Sequence, residues 1–418
     1  MIFWKRTIIF SCIYFFWNNA TFSQSRDLDF YVKTAIQNSP LLKDYQNQIR
    51  SNHIDSLILR AGMKPQIAGT AGAYYPPLIN GYGYDPAITN YGSYSALLGI
   101  RKDLFRGGEF NNRYFSLHYI SDSILYAAGV SERDLKKTVI AQYIIAYGDL
   151  EQMHYHSELL QFLGDEDQVL KKITEQGIYR QTDYLTFHVL YQQQQLQLKQ
   201  LEIQYKLDYE ILNYICGLVD TSSIILSDPS LVNSLLPTLN QLLFSKPFIR
   251  DSLALHNRDL LIDLNYRPRL SIFGDAGYET SFTFHSEKNF GVSFGANFTI
   301  PLYDGKQRRL LHEKIQLLED TRTRYRDFFV SQYQQQIRLL TEQLKNTEDL
   351  IRDYHDQLKF SEGLIEANKK LIATGDVRIS DFLLAINNYM VAKNALLQFN
   401  ISRYQVINQL NYWNSPVQ

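Results

Sequence analysis

The residues that most constrain this chain are those it uses twice. Gly177-Ile-Tyr-Arg180-Gln-Thr182-Asp183-Tyr184-Leu185 returns 198 positions later as Gly375-Asp-Val-Arg378-Ile-Ser380-Asp381-Phe382-Leu383. Leu104-Phe-Arg-Gly107 returns as Leu302-Tyr-Asp-Gly305 at the same offset. Two separate motifs held in one register imply two copies of one structural unit, since a fixed period marks a repeated supersecondary block. A third pairing, Pro65 with Pro268, sits out of that register, which places a length difference in the loop between it and the second motif. The expected organisation is a first repeat over 24–216, a connector over 217–245, a second repeat over 246–413 and a short tail over 414–418.

Within each unit the hydrophobic period changes. Phe290, Val292, Phe294, Ala296, Phe298 and Ile300 alternate with Gly291, Ser293, Gly295, Asn297 and Thr299. That period of two is the signature of a strand with one apolar and one polar face. Leu270, Ile272, Ala276 and Tyr278 likewise oppose Arg269, Ser271, Asp275 and Glu279. The first unit shows the same alternation more weakly, at Ile67 to Tyr75 and at Tyr94 to Ile100. Four strands of about eleven to thirteen residues suit a bilayer, which takes ~9–11 tilted residues per strand, better than the ~5–6 usual in soluble sheets. Phe290, Val292, Phe294, Phe298 and Ile300 are the expected lipid-facing set.

After the second strand of each unit the period becomes helical. Ile337, Leu344, Ile351, Leu358, Ile365 and Ile372 recur every seven residues, and Val139, Ala146, Met153 and Leu160 hold the same phase in the first unit. A sustained heptad means helices packed side by side with a supercoil. Proline is absent from 107–176 and 305–374, so each stretch can run as one helix of roughly 105 Å at ~1.5 Å per residue. A helix over 26–62 stacked on one over 182–213 would return nearly the same length. The second unit has a shorter partner for its return helix, so the connector is expected to wrap the middle of the molecule.

At the N-terminus, Lys5 and Arg6 precede an apolar run from Ile8 to Trp17, and Thr21 and Ser23 are small enough for a signal-peptidase site. We therefore read 1–23 as a signal peptide cleaved after Ser23. Cys12 lies inside that run, which leaves Cys216 alone after cleavage and excludes an intrachain disulfide. Hydrophobic residues form 45% of the chain and charged residues 20%, enough for a folded core, while a formal net charge of −1 indicates no nucleic-acid partner. Aromatic residues reach 14% with Tyr outnumbering Phe, a balance suited to surfaces half wet and half apolar.

The chain carries no phosphate loop, nucleophile elbow or cysteine pair, and His312-Glu313 lacks the second histidine of a zinc-protease helix. His154 and His156 are two apart, so they point to different helix faces. No enzyme, cofactor or metal site is expected.

Four strands cannot close a membrane barrel, and lipid does not tolerate an open sheet edge, so such a chain must oligomerise. In its order of elements, its leader, its twofold repeat and its paired Gly177 and Gly375 motifs, the sequence resembles the TolC family of outer membrane efflux channels. The resemblance implies an α+β membrane protein. A long α-helical coiled-coil barrel would extend into the periplasm, with four strands per chain in a trimeric twelve-stranded outer membrane β-barrel. It also implies a homotrimer that meets a periplasmic membrane-fusion adaptor and an inner-membrane transporter of RND or ABC type. By the same resemblance, Gly177, Arg180, Thr182, Asp183, Gly375, Arg378, Ser380 and Asp381 form the periplasmic tip, where the pore is gated and the adaptor docks. Locally, Thr182 and Ser380 are expected to cap the helices that follow. Leu384 stands where some members carry a second aspartate. The expected function is passive conduction in a tripartite efflux or secretion system. The alternative is a trimeric coiled-coil structural or adhesive surface protein, which would need neither strands with a small polar face nor paired helix tips.

Overall fold

The computed structural model describes residues 26–84, 92–104, 108–220, 225–233, 243–281, 286–372 and 374–414. The leader read over 1–23 lies outside the described residues, as do Phe105, Arg106 and Gly107 of the first strand-to-helix motif. In chain order the elements are α1 (Leu28–Asn38), α2 (Pro40–Gly62), β1 (Gln66–Tyr74), β2 (Ser93–Asp103), α3 (Glu109–Glu175) and α4 (Gln181–Cys216). A 3-10 turn (Leu243–Ser245) then leads to α5 (Lys246–Asn265), β3 (Arg269–Thr280), β4 (Phe290–Thr299), α6 (Gln307–Ile372) and α7 (Ile379–Trp413).

The two long helices form as the missing prolines allow, with 67 residues in α3 and 66 in α6, each ~100 Å. The N-terminal helix differs from expectation. Instead of one run over 26–62 it breaks at Ser39, because Pro40 has no N–H to donate and clashes in a helix interior but fits its first turn. Ser39 closes α1 by donating its N–H to Ala35 at 3.0 Å and accepts the Leu42 N–H on its hydroxyl. Asn38 donates to the Cys216 carbonyl at 2.9 Å, so the break is fastened to the end of α4.

The four strands make one antiparallel sheet in the order β1-β2-β3-β4, with β1 and β4 at its edges. They measure 9, 11, 12 and 10 residues. β1 and β4 fall short of expectation, and Ile300 lies just past β4, before Pro301, which could not donate to a ladder. The register carries one face across the whole sheet. Ile67 pairs with Ile100, Ile100 with Gly274 and Gly274 with Phe294. One position along, Ala68, Gly99, Asp275 and Ser293 form the opposite row, where the Ser293 hydroxyl donates to Asp275 at 2.8 Å. Phe273 is a large apolar residue on that face, and it lies over Gly295, where a Cβ would come within 2.6 Å of the ring.

The helices bury two main clusters. One joins Tyr31, Tyr143, Leu150, Tyr209, Leu212 and Cys216. Part of the connector packs there: Leu226 joins the cluster, Ser227 accepts the Tyr143 hydroxyl at 2.7 Å and Asp228 accepts that of Tyr404 at 2.9 Å. The other cluster, toward the turns at Gly177 and Gly375, joins Leu159, Leu163, Leu170, Phe187, Ile372 and Phe382. The heptad of α6 is buried at Leu344, Leu358, Ile365 and Ile372. In α3 it is buried at Val139 and Ala146, but Leu159 takes the buried place expected of Leu160.

Candidate functional site

Both helix-tip motifs fold into the same turn. Gly177 and Gly375 adopt φ of 81° and 82°, the left-handed conformation that glycine reaches without a Cβ penalty. At the first turn Gly177 donates to Thr174 and Ile178 to Ile173; at the second Gly375 donates to Ile372 and Asp376 to Leu371. These are the paired bonds of a Schellman ending, which satisfy carbonyls that a helix end leaves bare.

The starts of the next helices depart from expectation. Arg180 and Arg378, not Thr182 and Ser380, occupy the N-cap positions, with extended backbone (φ −75°, ψ 146° and 143°) and no side-chain cap. Thr182 and Ser380 already lie inside the first turn, two residues past the N-cap position, and guanidinium has no acceptor with which to replace them. Asp183 and Asp381 do lie in the first turn, where the helix dipole favours negative charge. All four charged side chains lack an ion-pair partner within the chain among the described residues. Arg180, Arg378 and Asp381 are exposed, and Asp183 is half-buried.

What joins the two tips is a residue that sequence reasoning missed. The Tyr179 hydroxyl reaches from the first turn to the Val377 carbonyl at 2.8 Å and the Ile372 carbonyl at 3.1 Å. Beside it, Ile178 lies where a Cβ on Gly375 would meet its methyl at 2.9 Å, so that glycine is required by space as well as by φ. Phe187 and Phe382 stack behind the turns with rings 6.2 Å apart and 3° from parallel. Lys369 pairs with the buried Glu166 at 2.7 Å, and that bond raises the lysine pKa. The signal for Tyr179 was present in the repeat: its counterpart is Val377, so one copy carries a hydroxyl that the other lacks.

At the opposite end, the register puts Phe290, Val292, Phe294 and Phe298 on one face with Tyr278, Ala276, Gly274 and Leu270. This face is open to the surroundings, with Phe294 at 89% exposure. A contiguous apolar face of this kind marks an interaction surface. Among the described residues no helix is long and apolar enough to cross a membrane. No group of three or more His, Cys, Asp or Glu there could hold a metal ion.

No family model matches the chain, and no curated protein matches it in sequence. Solved structures do match. CusC, described in terms of folding and transmembrane channel formation, aligns with a TM-score of 0.77 at 13% identity over 94% of this chain and 93% of its own. The outer membrane protein VceC of Vibrio cholerae aligns at 0.75 and 13% identity over 93% and 96%. The outer-membrane channel OprN aligns at 0.74 and 14% identity over 93% and 90%. The fold is that of an outer membrane channel, mostly helical with one four-stranded antiparallel sheet. Within that class it is TolC-like.

Proposed function

We propose that this chain is the outer membrane component of a tripartite efflux or secretion system, a passive conduit running from the periplasm through the outer membrane. The observation that carries the reading is the sheet. Among the described residues it has four strands, an apolar face open to the surroundings and two unpaired edges, and it sits on helices of ~100 Å. Unpaired edges are not stable in lipid. Three copies would join β4 of one to β1 of the next and close twelve strands, with the phenylalanine face toward lipid and the Asp275 and Ser293 face toward the lumen. The two halves of each chain are repeats of one unit in this reading, and their like tip turns support it.

The tips would then form the periplasmic end. Arg180, Asp183, Arg378 and Asp381 have no ion-pair partner among the described residues, which favours partners in a neighbouring copy or in a periplasmic adaptor. The energy for transport would come from an inner-membrane transporter of RND or ABC type. The adhesive alternative gives no reason for a polar sheet face opposite an apolar one. A heat-sensitive trimer in the outer membrane fraction that conducts ions in a planar bilayer is the expected result. A monomer in the soluble periplasmic extract would overturn the reading.

A further inference from the structure

Between α3, α6 and α7, behind the tip cluster, lies a cavity of about 370 Å³, within the range of small-molecule sites. Its floor is apolar, with Leu159, Ile365 and Ile386 buried. Its aromatic walls are Tyr155, Phe162 and Tyr389, the two tyrosine rings 6.4 Å apart. Three carboxylates, Glu158, Glu362 and Glu366, complete the lining, and all three residues are exposed. Helical spacing gathers them: 155, 158, 159 and 162 share one face of α3, as 362, 365 and 366 share one of α6.

Two further features show what the cavity suits. Tyr155 is only 5% exposed, and its hydroxyl is buried without a hydrogen-bond partner. An unmade bond at such a group costs more than a made one contributes, so a ligand that supplies a partner is favoured. The charge is also unbalanced. Among the described residues no ion pair includes Glu158, Glu362 or Glu366. The nearby Lys369 is held by Glu166 and stands 5.4 Å over the Phe162 ring, so one wall already accepts a cation on its face.

We propose that this cavity is a binding site for an organic cation with a flat apolar body and an amine or similar hydrogen-bonding group. The aromatic walls take the body and the positive charge by cation–π contact, the glutamates neutralise it, and the polar group meets the Tyr155 hydroxyl. The site lies within one chain and stands whether or not the channel reading holds.

The test is ethidium binding to the purified full-length protein, followed by fluorescence anisotropy, with neutral 6-phenylphenanthridine as competitor. Saturable binding is expected, with at least tenfold weaker displacement by the neutral compound. Glu362→Gln with Glu366→Gln should weaken ethidium about tenfold, and Tyr155→Phe about threefold, with helical circular dichroism unchanged. Glu348→Gln, on α6 outside the cavity, should leave binding as it was. Absence of saturable binding, or equal affinity in wild type and either cavity variant, overturns the proposal.

Discussion

The Tyr179 hydroxyl donates to the Val377 carbonyl at 2.8 Å across a sequence separation of 198, the offset of the repeat itself. One tip turn is therefore braced against its own counterpart. The bond cannot be reciprocated, since valine has no hydroxyl to return. Removing the hydroxyl in Tyr179→Phe should release the second turn, at ~1 kcal/mol for the single proton that the hydroxyl shares between the two carbonyls. Hydrogen exchange of the amides over 374–378 should quicken while the middle of α6 keeps its protection. Unchanged exchange at those amides would mean that packing behind the turns suffices.

The charged tip residues lead to a different expectation. If Arg378 and Asp381 hold neighbouring copies together, removing both should loosen the entrance by partly exposed ionic contacts, roughly 0.5–1.5 kcal/mol each. Single-channel conductance of the Arg378→Ala, Asp381→Ala double variant should rise with no loss of the assembled form on gels. Unchanged conductance would assign the motif to turn formation or docking, and loss of assembly would make it structural.

The sheet faces can be separated by a pair of substitutions on β4. A charge at mid-membrane on a lipid face costs on the order of 2–4 kcal/mol for Arg or Lys, and less for Asp. Phe294→Asp should therefore impair assembly in the membrane fraction, whereas Asn297→Asp, on the opposite face, should be tolerated. Equal effects from both would mean that the face assignment is wrong.

A pH effect follows from the helical region. Burial first, and the neighbouring Asp208 second, push the Asp149 carboxyl from 3.8 up to about 7. Asp208 itself accepts Nε2 of Gln142 at 3.0 Å and that of Gln204, while Oδ2 of Asp149 is buried without a partner. Between those two pH values the folded chain holds a proton that the unfolded chain has released. This group's contribution to stability accordingly falls as pH rises from about 4 to about 7, then levels off. Asp149→Asn, which mimics the protonated acid, should raise the thermal midpoint of the helical signal at pH 8 and leave it nearly unchanged at pH 4. An equal gain at both values would show that the carboxyl does not titrate in that window.

Much of this architecture was legible in local pattern. The period of two gave each β4 residue its face, and the absence of proline allowed α3 and α6 their length, because alternation and helix continuity depend on near neighbours in the chain. Pro40 was equally visible and forced the break between α1 and α2, yet the reading of 26–62 as one helix passed over it. The tip glycines were recognisable because only a left-handed turn explains their repeated use.

What the chain order could not reveal is which groups meet across hundreds of residues. That Tyr179 reaches Val377, and that Tyr155, Tyr389 and three glutamates surround one cavity, depends on how α3, α6 and α7 are set in azimuth against each other. Helical periodicity specifies which residues share a stripe, but the facing stripe is chosen by packing of large buried side chains such as Phe187 and Phe382. Sequence by itself determined the elements, their faces and their repetition; the tertiary structure alone decided their partners, because side-chain contacts between distant elements are set by shape and burial in three dimensions rather than by spacing along the chain.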